Sequence, residues 1–415
     1  MHAAVPGEDV AGSVGARRML IALLFVAIAL NYVDRQVLAL LKPTLEARFA
    51  WTDQDYALLG TAFQITAALS FLAVGWFVDR FGVRRALGWG VGVWSVAGIA
   101  HAFAATVGQF VAARVVLAAA ETVGTPAAVK SAAVYLPVEQ RSFALGLGNT
   151  APNIGAIVTP LLIPPFALAF GWQAAFVVTG ALGFVWLVCW VLGTRSLVPV
   201  DPEIRRDGAA PRTDWAAFFA DRRTWTIVGA KLLSDLGWFF LLFFIPDFFA
   251  RVFHMKQATL GGPTALAYSF AALGALSSGL LFPYLLGRGW SMNRARKLSM
   301  LFYACMILPL PLAIVAPGPW AAAAIIGIGL FAHQGFSTNV FGLTADVVPV
   351  ARVATVVGAG AVAGNLAGAA IIAFAGWSLG HGHGYTPMFA ICAGAYLAAL
   401  LWVHIMLPEI KQGHA

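Results

Sequence analysis

Charge is scarce in this chain: Asp, Glu, Lys and Arg make up 11% of its 415 residues, whereas a soluble domain carries about 25%. That shortage excludes a water-exposed globule, because most of the exterior must face something other than water. Cysteine is rarer. Cys189, Cys305 and Cys392 each sit in an apolar stretch without metal-ligand spacing, which argues against a disulfide framework and against a metal centre. No nucleophile elbow and no phosphate-cradling glycine motif occurs, so an embedded enzyme lacks its chemistry and no cofactor is expected. No cleavable leader is expected either. Met1 to Ala16 is polar, Arg17 and Arg18 precede an apolar run from Met19, and that run passes Asn31, Asp34 and Arg35 to reach Leu41 without a small-residue cleavage site.

What is abundant is apolar: hydrophobic residues are 60% of the chain, with 43 glycines and 21 prolines. Transmembrane helices tolerate both of these, since small residues let helices approach closely. Runs long enough to cross a bilayer fall near 19–41, 54–78, 86–106, 108–133, 142–169 and 172–194, and again near 225–250, 262–287, 298–316, 319–345, 354–378 and 386–407. The two sets of six are separated by a polar stretch carrying Asp201, Glu203, Arg205, Arg206, Asp207 and Arg212. The expected architecture is an all-α membrane protein of twelve helices: a tail at 1–18, a six-helix bundle at 19–194, a linker at 195–224, a second bundle at 225–407 and a tail at 408–415.

The net charge of +8 would suggest nucleic acid in a soluble chain. Its distribution gives another answer. With the N-terminus inside, eighteen of the 26 basic residues fall in cytoplasmic loops and tails, among them Arg80, Arg84, Arg85, Arg294, Arg296 and Lys297, while the outer loops hold Lys42, Arg48, Arg251 and Lys256. The positive-inside rule then puts both termini in the cytoplasm. Arg35, Arg114, Lys130 and Lys231 remain inside spans.

One loop carries a pattern. Gly75-Trp76-Phe77-Val78-Asp79-Arg80-Phe81-Gly82-Val83-Arg84-Arg85 follows the second span and resembles the signature of the major facilitator superfamily; a weaker echo from Gly287 to Lys297 follows the eighth. Asn31-Tyr32-Val33-Asp34-Arg35, Pro137 to Ser142, Phe170 to Phe176, Trp238 to Asp247 and Phe331-Ala332-His333-Gln334 are similar to elements of the anion:cation symporter branch, most of all to bacterial hexuronate transporters. The resemblance covers about Met19 to Pro408. It implies two pseudo-symmetric six-helix bundles, a bacterial inner-membrane location, and a monomer whose partners are a small organic anion, protons and lipid. Asp79, Arg80, Arg84 and Arg85 would then tie helix ends in one conformation and release them in the other, with Lys130 as either an inner-gate contact or an interface anchor.

The charges inside spans narrow the site. An Asp or Arg at mid-membrane costs about 2.5–3.5 kcal/mol, so Asp34 and Arg35 are not filler. Neighbours on a helix point about 100° apart, so the two should serve different partners. Arg114 and Glu121, seven residues apart, should share a helix face. A carboxylate held out of water favours its protonated form, which suits Asp34 and Glu121 to proton coupling. Arg35, Arg114 and Lys231 are the candidate anion holders, although Lys231 could pair with Asp235 one turn on. Lys231 stands where the branch favours arginine. Gln64, Asn149, Asn153, Asn339 and Asn365 could bond hydroxyls or join helices. His333 and Gln334 could do either, and Tyr32 with Trp377 could offer a stacking face. The His381-Gly382-His383 turn supplies two ligands, too few for a metal site. The expected function is proton-coupled import of a hexuronate by alternating access. Carriage of an aldonate or aldarate, or efflux of a drug-like metabolite, are the alternatives.

Overall fold

A computed structural model describes residues 14–136, 138–197 and 215–410. Most of the expected tails and linker, and Pro137, lie outside the described residues. Those described form fourteen α-helices: α1 (Val14–Phe49), α2 (Asp53–Phe81), α3 (Val83–Ala100), α4 (Val107–Glu121), α5 (Gly124–Tyr135), α6 (Val138–Phe170), α7 (Trp172–Gly193), α8 (Trp215–Ala220), α9 (Arg222–Val252), α10 (Gly261–Gly287), α11 (Met292–Met306), α12 (Pro319–Val347), α13 (Val350–Gly380) and α14 (Thr386–Met406). Twelve segments among them are long and apolar enough to cross a membrane, α4 and most of α5 together making one of these. Each expected span has its helix.

Local chemistry sets the joints. Thr52 caps α2 through a capping box with Asp55, which satisfies free amides at the helix start. Gly82, at φ 77°, is the whole joint between α2 and α3, and Gly171, at φ 86°, is the joint between α6 and α7; both adopt a backbone that residues with a Cβ rarely take. The fourth span breaks at Thr122 and Val123, immediately after Glu121.

The chain packs as two bundles, α1 to α7 and α9 to α14. Across the interface α2 lies against α13, α6 against α10, and α1 against α9. Counted as spans, the second of the first half meets the fifth of the second half, and the fifth of the first meets the second of the second. Exchange of the halves by a two-fold requires this pattern. Glycine permits the closest approaches. A Cβ at Gly376 would come within 2.3 Å of the Ala57 Cβ, and one at Gly261 within 2.2 Å of the Pro160 carbonyl oxygen. The helices also run further than the apolar runs. α1 has 36 residues, about 54 Å, against a hydrocarbon core of about 30 Å. Lys42 and Arg48, expected in a loop, are therefore on α1, and Arg251 is in the last turn of α9.

Candidate functional site

In the first bundle α1, α2 and α4 bring charge together at mid-span. Arg35 Nε donates to Glu121 Oε2 at 2.9 Å, with the Glu121 side chain fully buried. Glu121 ends α4, and its carbonyl accepts the Asn31 amide at 3.4 Å. The helix break thus serves two groups of α1. Arg114 is wholly buried, and its three guanidinium nitrogens make no hydrogen bond. Its guanidinium lies 5.6 Å from the centre of the Phe63 ring, and Arg35 lies 5.0 Å from that ring and 5.2 Å from the Tyr32 ring. One aromatic face of α2 therefore carries two guanidinium groups, an attraction of about 0.5–2 kcal/mol each. Asp34 is buried and faces Thr179 of α7 rather than Arg35, so the neighbours do take different partners. Both amide atoms of Gln64 and the Glu121 Oε1 are buried without a hydrogen bond. An unbonded buried guanidinium is costly, and this cluster gathers two cations, the buried carboxylates Asp34 and Glu121, and spare polar atoms.

The second bundle faces it. Lys231 Nζ bonds Asp235 Oδ1 at 2.8 Å, one turn along α9. The other reading of Lys231 is thus realised: it is neutralised by its neighbour. The Tyr32 ring lies 6.4 Å from Trp238, whose indole stacks on His333 at 4.9 Å; His333 Nδ1 is 2.7 Å from the Tyr396 hydroxyl. Trp377 is elsewhere, stacked on Phe374 and tilted against His381 and His383, so the expected Tyr32–Trp377 face is replaced by Tyr32–Trp238. Among the described residues no group of three or more His, Cys, Asp or Glu side chains is placed to hold a metal ion. Gln334 Nε2 donates to Asn153 Oδ1 at 3.3 Å across the bundles. Asn149 is on α6, and its side chain is outside the described residues.

Other expected residues lie away from this centre. Asn339 gives its amide to Ser278, Ser299 and the Gly335 carbonyl, and takes a bond from Arg296. Arg296 in turn holds Asp346 at 2.6 Å. Asn339 thus ties α10, α11 and α12 together, and its bonding capacity is filled within the bundle. Asn365 bonds its own helix at the Ala361 carbonyl. Lys130 pairs with Asp79, joining α5 to the end of α2, and Arg84 bonds Thr194 at 3.2 Å. Arg80 and Arg85 are exposed.

A second cluster closes the opposite end, and sequence reasoning assigned it no role. Lys42 is wholly buried, with Asp247 at 2.6 Å, Glu46 at 2.8 Å and Asp53 at 3.3 Å. Arg251 reaches the same carboxylates, Asp247 at 3.0 Å, Asp53 at 3.0 Å and Glu46 at 3.1 Å. Tyr385 bonds Asp247, and burial followed by that carboxylate holds its hydroxyl well above the ordinary phenol range. Tyr56 donates to the Phe243 carbonyl at 2.7 Å, and Gln257 to the Leu40 carbonyl at 2.6 Å. These bonds join the two bundles. At the Asp79 end the ion pairs Lys130–Asp79, Arg296–Asp346 and Arg352–Asp221 each stay within one bundle. The only sequence signals were Lys42 at the end of an apolar run and Asp247 inside the aromatic run of α9.

The family model described as Major Facilitator Superfamily matches residues 24–372. The chain is similar to the hexuronate transporter of Escherichia coli, 26% identical over 95% of each chain. It is also similar to the D-galactonate transporter of Escherichia coli, 24% identical over 96% of this chain and 97% of that one, and to the galacturonate transporter of Dickeya chrysanthemi, 25% identical over 71% and 90%. Among solved structures it superposes on a bacterial homologue of the human lysosomal transporter Spinster in an inward-facing, occupied conformation, with a TM-score of 0.72, 19% identity and coverage of 95% and 96%. It superposes also on the D-xylose–proton symporter, with a TM-score of 0.75, 16% identity and coverage of 96% and 100%.

Proposed function

The chain belongs to the Major Facilitator Superfamily, and from that premise we propose that it is a proton-coupled symporter importing a small sugar-acid anion, a hexuronate in the first instance, by alternating access. The observation that carries this reading is the Arg35–Glu121 pair beside the hydrogen-bond-free Arg114 guanidinium. Arg35 spends its Nε–H on Glu121, and the Glu121 charge competes with an incoming carboxylate for the same guanidinium. A proton on Glu121 removes the competing charge and releases Arg35 to the anion, so proton and anion bind as a set. Arg114 supplies a second, buried positive charge, which a low-dielectric surrounding strengthens, and Asp34 is the neighbouring acid that can carry a proton. Gln64, Asn153, Gln334, Tyr32 and His333 would meet the hydroxyls. Binding between two bundles, at mid-membrane, is the arrangement that rocking carriers use.

The positive-inside argument puts the Asp79 end in the cytoplasm of a bacterial inner membrane. On that assignment the Lys42 cluster is the closed outer gate, and the structure faces inward. Asp79, Lys130 and the arginines beside them would be freed from cross-bundle duty in this state. The names of the sugar-acid relatives support the substrate class, and the cations at the centre support an anion over a neutral sugar.

Thermal unfolding of the purified protein tests the anion site. D-glucuronate, D-galacturonate or D-galactonate at about 100 times its Kd should stabilise the fold by about 2.7 kcal/mol, glucose should not, and Arg114→Gln should abolish the shift. Equal stabilisation by glucose, or an unchanged shift in Arg114→Gln, would remove the anion assignment.

A further inference from the structure

We propose that Asp235 is an internal stand-in for the substrate carboxylate on Lys231, displaced when the anion binds. The inference rests on the sugar-acid reading above and deepens it, by giving the second bundle a share in anion capture.

The pair is an unrewarding structural device. An i,i+4 ion pair on a helix is worth a few tenths of a kcal/mol at a surface, and the order with the base first is the weaker one. Here Asp235 is buried, at 8% side-chain exposure, and Lys231 is mostly covered, at 14%, and taking such charges out of water costs more than the pair returns. The neighbouring helix is nevertheless shaped around it. A Cβ at Gly364 of α13 would come within 2.1 Å of the Asp235 Oδ2, and one at Gly360 within 3.2 Å of the Lys231 Cγ. Space that side chains of α13 would fill is given to the two charges.

Its position is the second observation. The Tyr32 ring lies 5.2 Å from Arg35 and 6.4 Å from Trp238, which is one turn from Asp235 on α9. Tyr32 has Arg35, Glu121 and Asp235 all within electrostatic range, so the two ion pairs lie on either side of the bundle interface near this ring. Each bundle presents a base held by its own carboxylate. Lysine suits exchange: its ammonium is a point charge with three rotatable donors, and it also lies 5.3 Å from the Phe341 ring, which can steady it as the partner changes. When an anion takes Lys231, Asp235 keeps the Ser234 hydroxyl at 3.4 Å, and a proton taken up with the anion leaves it neutral. The titratable groups that face the pair are Tyr32 from α1, His333 from α12 and Tyr396 from α14, while α13 presents glycine at both contacts.

Calorimetric titration of the full-length protein with D-glucuronate, at one pH, tests this with the wild type, Asp235→Asn, Lys231→Met and the double variant. If Asp235 occupies Lys231 roughly nine-tenths of the time, freeing it tightens apparent binding about tenfold, a gain that a merely structural pair would not give. Wild-type binding with Asp235→Asn no tighter overturns the proposal and leaves the sugar-acid reading standing. A wild type that binds none of D-glucuronate, D-galacturonate and D-galactonate overturns the reading, and the proposal with it. Should Asp235→Asn fail to fold, Lys231→Met and the double variant decide. Asp235 acting only through Lys231 predicts equally weakened binding in both, and recovery of wild-type affinity in the double variant overturns it.

Discussion

Phe63 has no charge and no motif, yet two guanidinium groups rest on its ring. Its ring attracts both Arg35 and Arg114 against their mutual repulsion. Phe63→Leu keeps the bulk and removes the quadrupole, at about 0.5–1 kcal/mol for each cation. Anion binding measured by calorimetry should weaken roughly tenfold; undiminished affinity would mean that the ring only packs. Most of the charged members of this centre were legible in the sequence, because a charge inside an apolar run announces itself. Their pairing was less so. Arg35 and Glu121 are 86 residues apart, and nothing local says that Arg35 rather than Asp34 meets Glu121. The uncharged members were illegible for a different reason: Phe63 and Trp238 look like any other core aromatic. Amides were the weakest signal. Asn339 and Gln64 read alike in sequence, but one is fully bonded to its own bundle and the other has no partner at all.

At the scale of the helices, the Lys42 cluster is what α1, α2 and α9 jointly build. Three carboxylates around one buried ammonium, with Arg251 closing the ring, neutralise charge that would otherwise end a span. That is why α1 and α9 continue past their apolar runs. Hydropathy located all twelve spans but could not extend these two, since the compensating residues lie on other elements. The break after Glu121 was hidden in the same way, by an apolar sequence that runs straight through it. Removing one member of a buried ion cluster strands the others and costs about 3–5 kcal/mol, here charged against the closed end alone. Lys42→Met should therefore open that end. With Cys189 and Cys305 replaced by serine, spin labels at Gln54→Cys and Lys256→Cys report the separation of the bundles there. Double electron–electron resonance should show a second, longer distance in Lys42→Met; one short distance in both proteins would mean that α2 and α13 hold the end shut without the ions.

For the molecule as a whole, α2 against α13 and α6 against α10 relate the two bundles by exchange, and among the described residues the ion pairs between halves lie at the Lys42 end. Twelve spans and their division into two sixes were readable from hydropathy and charge. The state was not, because no local feature of a sequence says which end is closed. What joins centre to gate is α1, which carries Arg35 in the one and Lys42 in the other, two turns apart. On the proposed reading, a proton on Glu121 that frees Arg35 would act on the helix that holds the gate. Uptake of radiolabelled D-glucuronate into proteoliposomes, with and without an inwardly directed proton gradient, tests that coupling most directly. The account predicts accumulation above equilibrium only with the gradient, and its loss in Glu121→Gln although binding is retained. Accumulation indifferent to the gradient, or undiminished in Glu121→Gln, would contradict it.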